Sequence, residues 1–148
     1  MARNDSTGMI VALVAGLLGL ISVFGYFLIE ELGAWWQLET FIYNFYINAF
    51  GYLGEELILN EINLVAGIIF IIGIALILFN IISKSKKLSL LSFIMMAAGL
   101  ALFVIALTID YENITGDYGV IATWGAGIGF YIGIGACVLS LISAALMD

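Results

Sequence analysis

Residues 120–147 read VIATWGAGIGFYIGIGACVLSLISAALM, an apolar stretch that contains five glycines and no charged side chain. Gly125, Gly129 and Gly133 recur at every fourth residue, and Cys137 continues the row. On a helix, residues four apart lie on one side, so the row predicts a smooth groove where a second backbone can approach closely. Lipid tails are as apolar as leucine, so membrane helices associate largely through such close packing. We therefore predict that this stretch is the central packing helix of a membrane bundle.

The composition of the whole chain indicates a membrane protein. Of its 148 residues, 64% are hydrophobic and 10% are charged, whereas soluble domains contain about 25% charged residues. A helix needs about 20 apolar residues to cross the hydrocarbon layer, and four stretches meet this requirement: 9–29, 64–82, 88–109 and 120–147. Closed barrels would instead show short segments of alternating hydrophobicity. The sequence predicts an all-α fold, an integral membrane four-helix bundle that forms one transmembrane domain over residues 1–148.

The first predicted span carries a second row of small residues. One face of this helix holds Ala12, Ala15, Gly16, Gly19 and Ser22. Membrane helices prefer small residues where they touch one another. We therefore expect this face to pack against the glycine row of the fourth span.

The connection between the first two spans contains an aromatic segment, residues 33–54, that is neither polar nor continuously apolar. A polar stripe recurs every three or four residues through Gln37, Thr40, Asn44, Asn48, Gly51 and Glu55. This periodicity predicts an additional amphipathic helix that lies at the membrane interface on the outer side. A fifth span is the second interpretation, although Glu39 and the asparagines would then need partners in lipid. Aromatic side chains suit the interface, and the predicted anchors are Trp35, Trp36, Tyr43, Tyr46 and Tyr52.

The positive charges predict the orientation of the bundle. Lys84, Lys86 and Lys87 lie in the short connection between the second and third spans, where the positive-inside rule has its greatest weight. With four spans, both termini and the Lys84–Lys87 loop are predicted to be cytoplasmic. The chain is then a multi-pass protein of the cell membrane, and its two longer connections lie outside.

The predicted outer connections contain many carboxylates and no basic residue. The sequence allows three explanations: a solvated rim, oxygen ligands for a hard cation such as calcium, or a habitat acidic enough to protonate the carboxylates. The carboxylates do not follow the spacing of a known calcium loop. The second outer connection also contains Asn113-Ile114-Thr115, an N-glycosylation acceptor pattern that is usable only on the outside.

The residue types argue against an enzyme or an ion-coupled transporter. The chain has no histidine and only one cysteine, which excludes histidine-based metal or haem sites and any disulfide within the chain. The predicted spans contain no ionisable Asp, Glu, Lys or Arg, although transport pathways commonly use such groups. We expect no enzyme activity, no cofactor, no metal and no nucleic-acid partner. A lipid-directed enzyme that uses Glu55 or Glu56 is the weakest alternative.

The order of segments resembles that of tetraspan junctional proteins of the claudin type, with four spans, a long first outer connection, a short basic turn and a shorter second outer connection. The claudin signature joins a tryptophan motif to two cysteines in the first outer connection. This chain has Trp35-Trp36 there and no cysteine. The resemblance therefore concerns topology and implies neither a function nor a site residue.

Together these features predict a non-catalytic membrane protein that acts through contacts. We expect an accessory or structural subunit of a larger membrane assembly, with membrane lipid and other subunits or copies of itself as its partners. The alternative is a homo-oligomeric pore, in which glycine rows pack between copies and an acidic outer mouth concentrates cations.

Overall fold

The computed structural model describes residues 2–29, 32–39, 44–50, 52–53, 56–57, 61–118 and 123–147. Four packed helices are each long and apolar enough to span a membrane. They are α1 (Ala2–Phe24), α2 (Glu61–Ser83), α3 (Lys86–Tyr118) and α4 (Ile128–Leu146). A short 3-10 turn, Gly25–Phe27, follows α1. The prediction of four apolar helices that pack into a bundle is confirmed.

The ends of α3 and α4 differ from the predicted spans. α3 continues to Tyr118, so most of the predicted second outer connection, residues 110–119, is helical. The chain has no proline, so nothing in this segment removes a backbone donor and stops the helix. α4 begins only at Ile128, because the preceding residues Thr123–Ala126 pair as a strand.

The described residues of segment 33–54 contain strands joined by turns and not the predicted amphipathic helix. β1 is Trp36–Glu39, β2 is Asn44–Ile47, β3 is Tyr52–Leu53, and β4 is Glu56–Leu57 just beyond the segment. The strand before α4, Thr123–Ala126, is β5. Aromatic and β-branched side chains favour strands, and pairing with distant residues outweighs the helical spacing of the polar side chains.

A three-stranded antiparallel sheet joins the two long connections, with the strand order β2-β1-β5. In the central strand, Trp36 lies opposite Ile47 on one side and Ala126 on the other. β3 and β4 form a separate antiparallel pair. Since β5 leads into α4, the sheet fixes the start of α4 relative to the segment that follows α1.

The four helices form a ring in which each helix packs mainly against two others. α1 contacts α2 and α4, and α3 contacts the same two helices. The interior holds the fully buried side chains of Trp35, Phe70 and Phe103. Large apolar side chains are exposed on the outside of all four helices, as expected for a surface that faces lipid.

Candidate functional site

Trp35 occupies the centre of the bundle at the end where the sheet meets the helices, and no part of it is exposed. Its ring lies edge-on to Phe70 of α2, Phe103 of α3 and Phe130 of α4, with centroid distances of 4.9, 5.1 and 5.7 Å. Its Nε1 donates to the carbonyl oxygen and to the Oγ of Ser22 in α1, both at 3.0 Å. One side chain from the first connection therefore contacts all four helices.

This position differs from the interface location that the sequence predicted for Trp35. A tryptophan can be fully buried when its N–H has a hydrogen-bond partner, and Ser22 supplies that partner. Trp36 is half-buried, and its Nε1 has no hydrogen-bond partner in the described part of the chain. Tyr46 is also half-buried, and its carbonyl oxygen accepts a hydrogen bond from the Tyr26 hydroxyl at 3.0 Å.

Two further predicted anchors and the predicted glycosylation site lie partly or wholly outside the residues that the structure describes. Tyr43 and the side chain of Tyr52 are outside the described residues. Asn113 lies in the last part of α3, and its side chain is likewise outside the description. Glu55 is outside the described residues, and Glu56 is described only as part of β4.

The start of α4 makes a close backbone contact with the segment that carries Trp35. A Cβ added at Gly129 would lie 2.6 Å from the carbonyl carbon of Gly33 and 2.9 Å from the carbonyl oxygen of Ala34. The Gly129 carbonyl oxygen accepts a hydrogen bond from Ser22 Oγ at 2.6 Å. The glycine thus allows α1, the Trp35 segment and α4 to meet at one point.

The remaining members of the predicted glycine row separate into two locations. A Cβ added at Gly133 would lie 2.9 Å from Ser22 Oγ. Cys137 is buried on the same helix, and its Sγ contacts the carbonyl oxygen of Phe93 at 3.7 Å. Gly125, in contrast, lies in β5 opposite Gln37 and is not part of α4.

Gly16 and Gly19 of α1 face α2, whereas the sequence predicted that they would pack against α4. A Cβ added at Gly19 would lie 2.7 Å from Cγ1 of Ile74, and one added at Gly16 would overlap the side chain of Leu78. Ser22, from the same predicted face, contacts α4. The small residues of α1 are therefore divided between two neighbouring helices.

A buried polar network crosses the opposite end of the bundle. We call it the lysine end because Lys84, between α2 and α3, and Lys86 and Lys87, at the start of α3, lie there. Asn80 Nδ2 of α2 donates to Ser89 Oγ of α3 at 2.6 Å. Ser89 Oγ lies 3.2 Å from Ser143 Oγ of α4. Ser143 Oγ donates in turn to the Gly8 carbonyl oxygen of α1 at 2.8 Å. The network links all four helices.

Buried serine hydroxyls elsewhere in the described chain also bond to backbone carbonyls. Ser92 Oγ donates to the carbonyl oxygen of Gly73 at 2.6 Å, and Ser140 Oγ donates to that of Ala136 at 3.0 Å. A bond of this kind joins two helices, as Ser92 does, or pairs the hydroxyl with a carbonyl of its own helix, as Ser140 does. Nucleophilic catalysis would require a base beside the hydroxyl. Within the described ranges, no three His, Cys, Asp or Glu residues come together to hold a metal.

Sequence reasoning did not single out Asn63, Asn80, Ser89 or Ser143 as packing residues. Asn63 is fully buried and donates through Nδ2 to the carbonyl oxygen of Phe103 at 3.1 Å. The available signal was a polar side chain within or beside an apolar span, which needs an internal partner because lipid offers none. That signal identifies the residues but does not identify their partners.

Comparisons of the chain with protein families, with curated proteins and with solved structures found no match. Function is therefore inferred from the geometry of the bundle. The described side chains form two internal centres, the Trp35 cluster and the polar network of the lysine end. Both centres stabilise contacts between helices.

Proposed function

We propose that this chain is a non-catalytic transmembrane subunit that acts through helix-helix and lipid contacts in a larger assembly of the cell membrane. Two features support a role in contacts. Buried hydroxyl and amide groups, such as those of Ser22 and Asn80, form hydrogen bonds inside the bundle. The outer surface of the helices is apolar and extensive, and it offers area to lipid and to neighbouring subunits.

The observation that carries this proposal is an open glycine on the outward side of α4. A Cβ added at Gly135 would meet no atom within 4 Å, in contrast to the crowded Gly129. Tyr131, Val138 and Ile142 lie on the same side and are 62%, 48% and 41% exposed. Gly135 therefore forms a notch between larger side chains, and a neighbouring membrane helix can approach closely at such a notch.

The orientation that we propose places both termini and the Lys84–Lys87 loop in the cytoplasm and the acidic connections outside. It is supported by the exposed side chains of Lys84, Lys86 and Lys87 at one end of the bundle. Basic residues in a short loop favour the cytoplasmic side.

The second candidate function is a homo-oligomeric pore with an acidic outer mouth. The Gly135 notch favours it equally, because a second copy of the chain could supply the neighbouring helix. A path through one copy would have to cross the fully buried cluster of Trp35, Phe70 and Phe103. The conducting path of such a pore would therefore run between copies.

Purification from the native membrane in mild detergent tests both candidates. The mass of the complex and the identity of its proteins are compared for the wild type and for Gly135→Leu. We expect stoichiometric foreign subunits with the wild type and their loss with the variant, at unchanged helix content. A discrete oligomer of this chain alone would favour the pore, and a lone chain surrounded only by lipid would contradict both candidates.

Ala98→Leu provides the matched control, because Ala98 is an exposed small residue on the outside of α3. The control enlarges a small lipid-facing residue on a different helix. Assembly should survive this change if the notch at Gly135 is the specific contact. An equal loss of assembly in both variants would show that any enlarged side chain on the outer surface disrupts the complex. Gly135 would then no longer support the proposal.

A further inference from the structure

We propose that the groove between α1 and α2 at the lysine end binds an anionic phospholipid. An acyl chain lies in the groove, and the phosphate lies beside the Lys84–Lys87 segment. This inference goes beyond the assembly role and does not depend on it. It requires only that the four helices lie in a membrane.

The groove has the form and the chemistry of an acyl-chain site. It is lined by Ser6, Met9, Ile10 and Leu13 of α1 and by Ile81 of α2. Ile10 is 64% exposed, so the groove opens toward the lipid. A hydrocarbon chain fills the recess between the two helices and gains close packing contacts there.

The lysines follow closely in sequence after the α2 residue that lines this groove. Lys84 follows the groove residue Ile81 by three positions, and the side chains of Lys84, Lys86 and Lys87 are exposed. In sequence, the termini and this loop together carry four basic residues and two acidic ones, Asp5 and Asp148. Basic side chains beside a cleft between membrane helices attract anionic lipid headgroups, so the charge selects this class of occupant over a zwitterionic lipid.

A buried asparagine holds the lysine turn in place. Lys84 has a φ of 53°, which is uncommon for a residue other than glycine. Its N–H donates to the Asn80 carbonyl oxygen at 2.8 Å, and the Ser85 N–H donates to Asn80 Oδ1 at 2.7 Å. The backbone of the headgroup site is therefore fixed before a lipid arrives, which reduces the entropy cost of binding.

A second groove provides an internal comparison. It is lined by Leu20, Ile21, Phe24, Gly25, Leu28 and Leu32 and lies toward the opposite end of α1. Like the first groove it is apolar, but none of the basic side chains that the structure describes lies near it in sequence. It should accept an acyl chain without a preference for the headgroup.

Native mass spectrometry of the full chain in mild detergent tests the proposal. The protein is titrated with dioleoylphosphatidylglycerol or with dioleoylphosphatidylcholine. We expect the wild type to retain one phosphatidylglycerol with a preference of roughly tenfold or more, since each nearby lysine contributes about fivefold. The triple variant Lys84→Gln, Lys86→Gln, Lys87→Gln should lose this preference at unchanged helix content. Equal binding of the two lipids to the wild type, or an unchanged preference in the triple variant, would overturn the proposal.

A pair of groove variants locates the acyl chain. Ile10→Trp fills the groove at the lysine end, and Ile21→Trp fills the second groove; both residues are exposed, so the bundle tolerates the larger ring. Selective binding of phosphatidylglycerol should be lost in Ile10→Trp and kept in Ile21→Trp. Inorganic phosphate should compete no better than chloride at equal ionic strength. Retention of selective binding in Ile10→Trp, or specific displacement by inorganic phosphate, would contradict a lipid held by its chain.

Discussion

Ser22 Oγ accepts a hydrogen bond from Trp35 Nε1 at 3.0 Å and donates one to the Gly129 carbonyl oxygen at 2.6 Å. A single hydroxyl thus joins α1, the segment before β1 and the first turn of α4. Both groups that it bonds are buried, so each bond also satisfies a polar atom that water cannot reach.

Replacing Trp35 should destabilise the protein more than replacing its neighbour. Trp35→Ala removes a fully buried ring that contacts aromatic residues of three helices, and such truncations cost about 3–5 kcal/mol. Trp36→Ala changes a half-buried side chain whose Nε1 lacks a partner among the described residues, so its cost should be smaller. Thermal unfolding followed by circular dichroism in detergent measures both. Equal midpoints would contradict the central position of Trp35.

Ser22→Ala should lower stability without changing the volume of the core appreciably. The substitution removes the hydroxyl that bonds Trp35 Nε1 and the Gly129 carbonyl oxygen, while Nε1 keeps the Ser22 carbonyl oxygen as an acceptor. A typical buried hydrogen bond contributes about 0.5–1.5 kcal/mol. Ser22→Thr, which keeps a hydroxyl, is the rescue variant. An unfolding midpoint for Ser22→Ala equal to that of the wild type would show that the two bonds contribute nothing.

Two glycine-to-leucine variants of α4 should behave in opposite ways. Gly129→Leu places a bulky side chain where even a Cβ would lie 2.6 Å from backbone, so we expect loss of the folded bundle. Gly135→Leu has open space around it, so we expect a wild-type unfolding midpoint. Both variants replace a glycine of α4 with leucine, so each is the control for the other. Similar thermal unfolding of both would refute the assignment of Gly129 as a packing residue.

The polar network of the lysine end should depend strongly on Asn80. Asn80→Leu removes the donor to Ser89 Oγ and the side-chain acceptor of the Ser85 N–H, and each lost hydrogen bond costs about 0.5–1.5 kcal/mol. Ser83→Leu, on an exposed residue of the same helix end, is the control. Thermal unfolding should separate the two variants, and a wild-type midpoint for Asn80→Leu would exclude a stabilising network.

The proposed orientation predicts the sidedness of chemical labelling. In a Cys137→Ala background the chain has no other cysteine, so an introduced cysteine reports its own position. A membrane-impermeant maleimide should label Ile29→Cys in intact cells and Lys86→Cys only after permeabilisation. Both parent residues are exposed. The opposite labelling pattern would invert the topology.

The four helices could be predicted because the length of an apolar run needs no knowledge of tertiary contacts. The strands could not, since β1 depends on pairing between Trp36 and Ala126, which are distant in sequence. In segment 33–54 the polar residues fall at helical spacing, and this local pattern gave no sign of those partners. Gly125 was assigned to the helical row for the same reason, because its spacing continues into β5.

The burial of Trp35 could not be predicted from its neighbours in the sequence either. An aromatic residue beside an apolar span is typical of the membrane interface. The decisive partners, Ser22, Phe70, Phe103 and Phe130, come from four separate helices. Gly129 lies in a close backbone contact, but the spacing of the glycines did not reveal that the backbone facing it belongs to the Gly33–Trp35 segment.

The pairing of β1 with β5 also sets an order for biosynthesis. Strand β5 lies beyond the third span, so β1 keeps a free edge, and Trp35 lacks Phe130, until residues 123–130 have been made. The three-stranded sheet and the aromatic cluster are complete only when β5 and the start of α4 have been made. A product terminated before residue 123 would therefore expose an unpaired edge of β1.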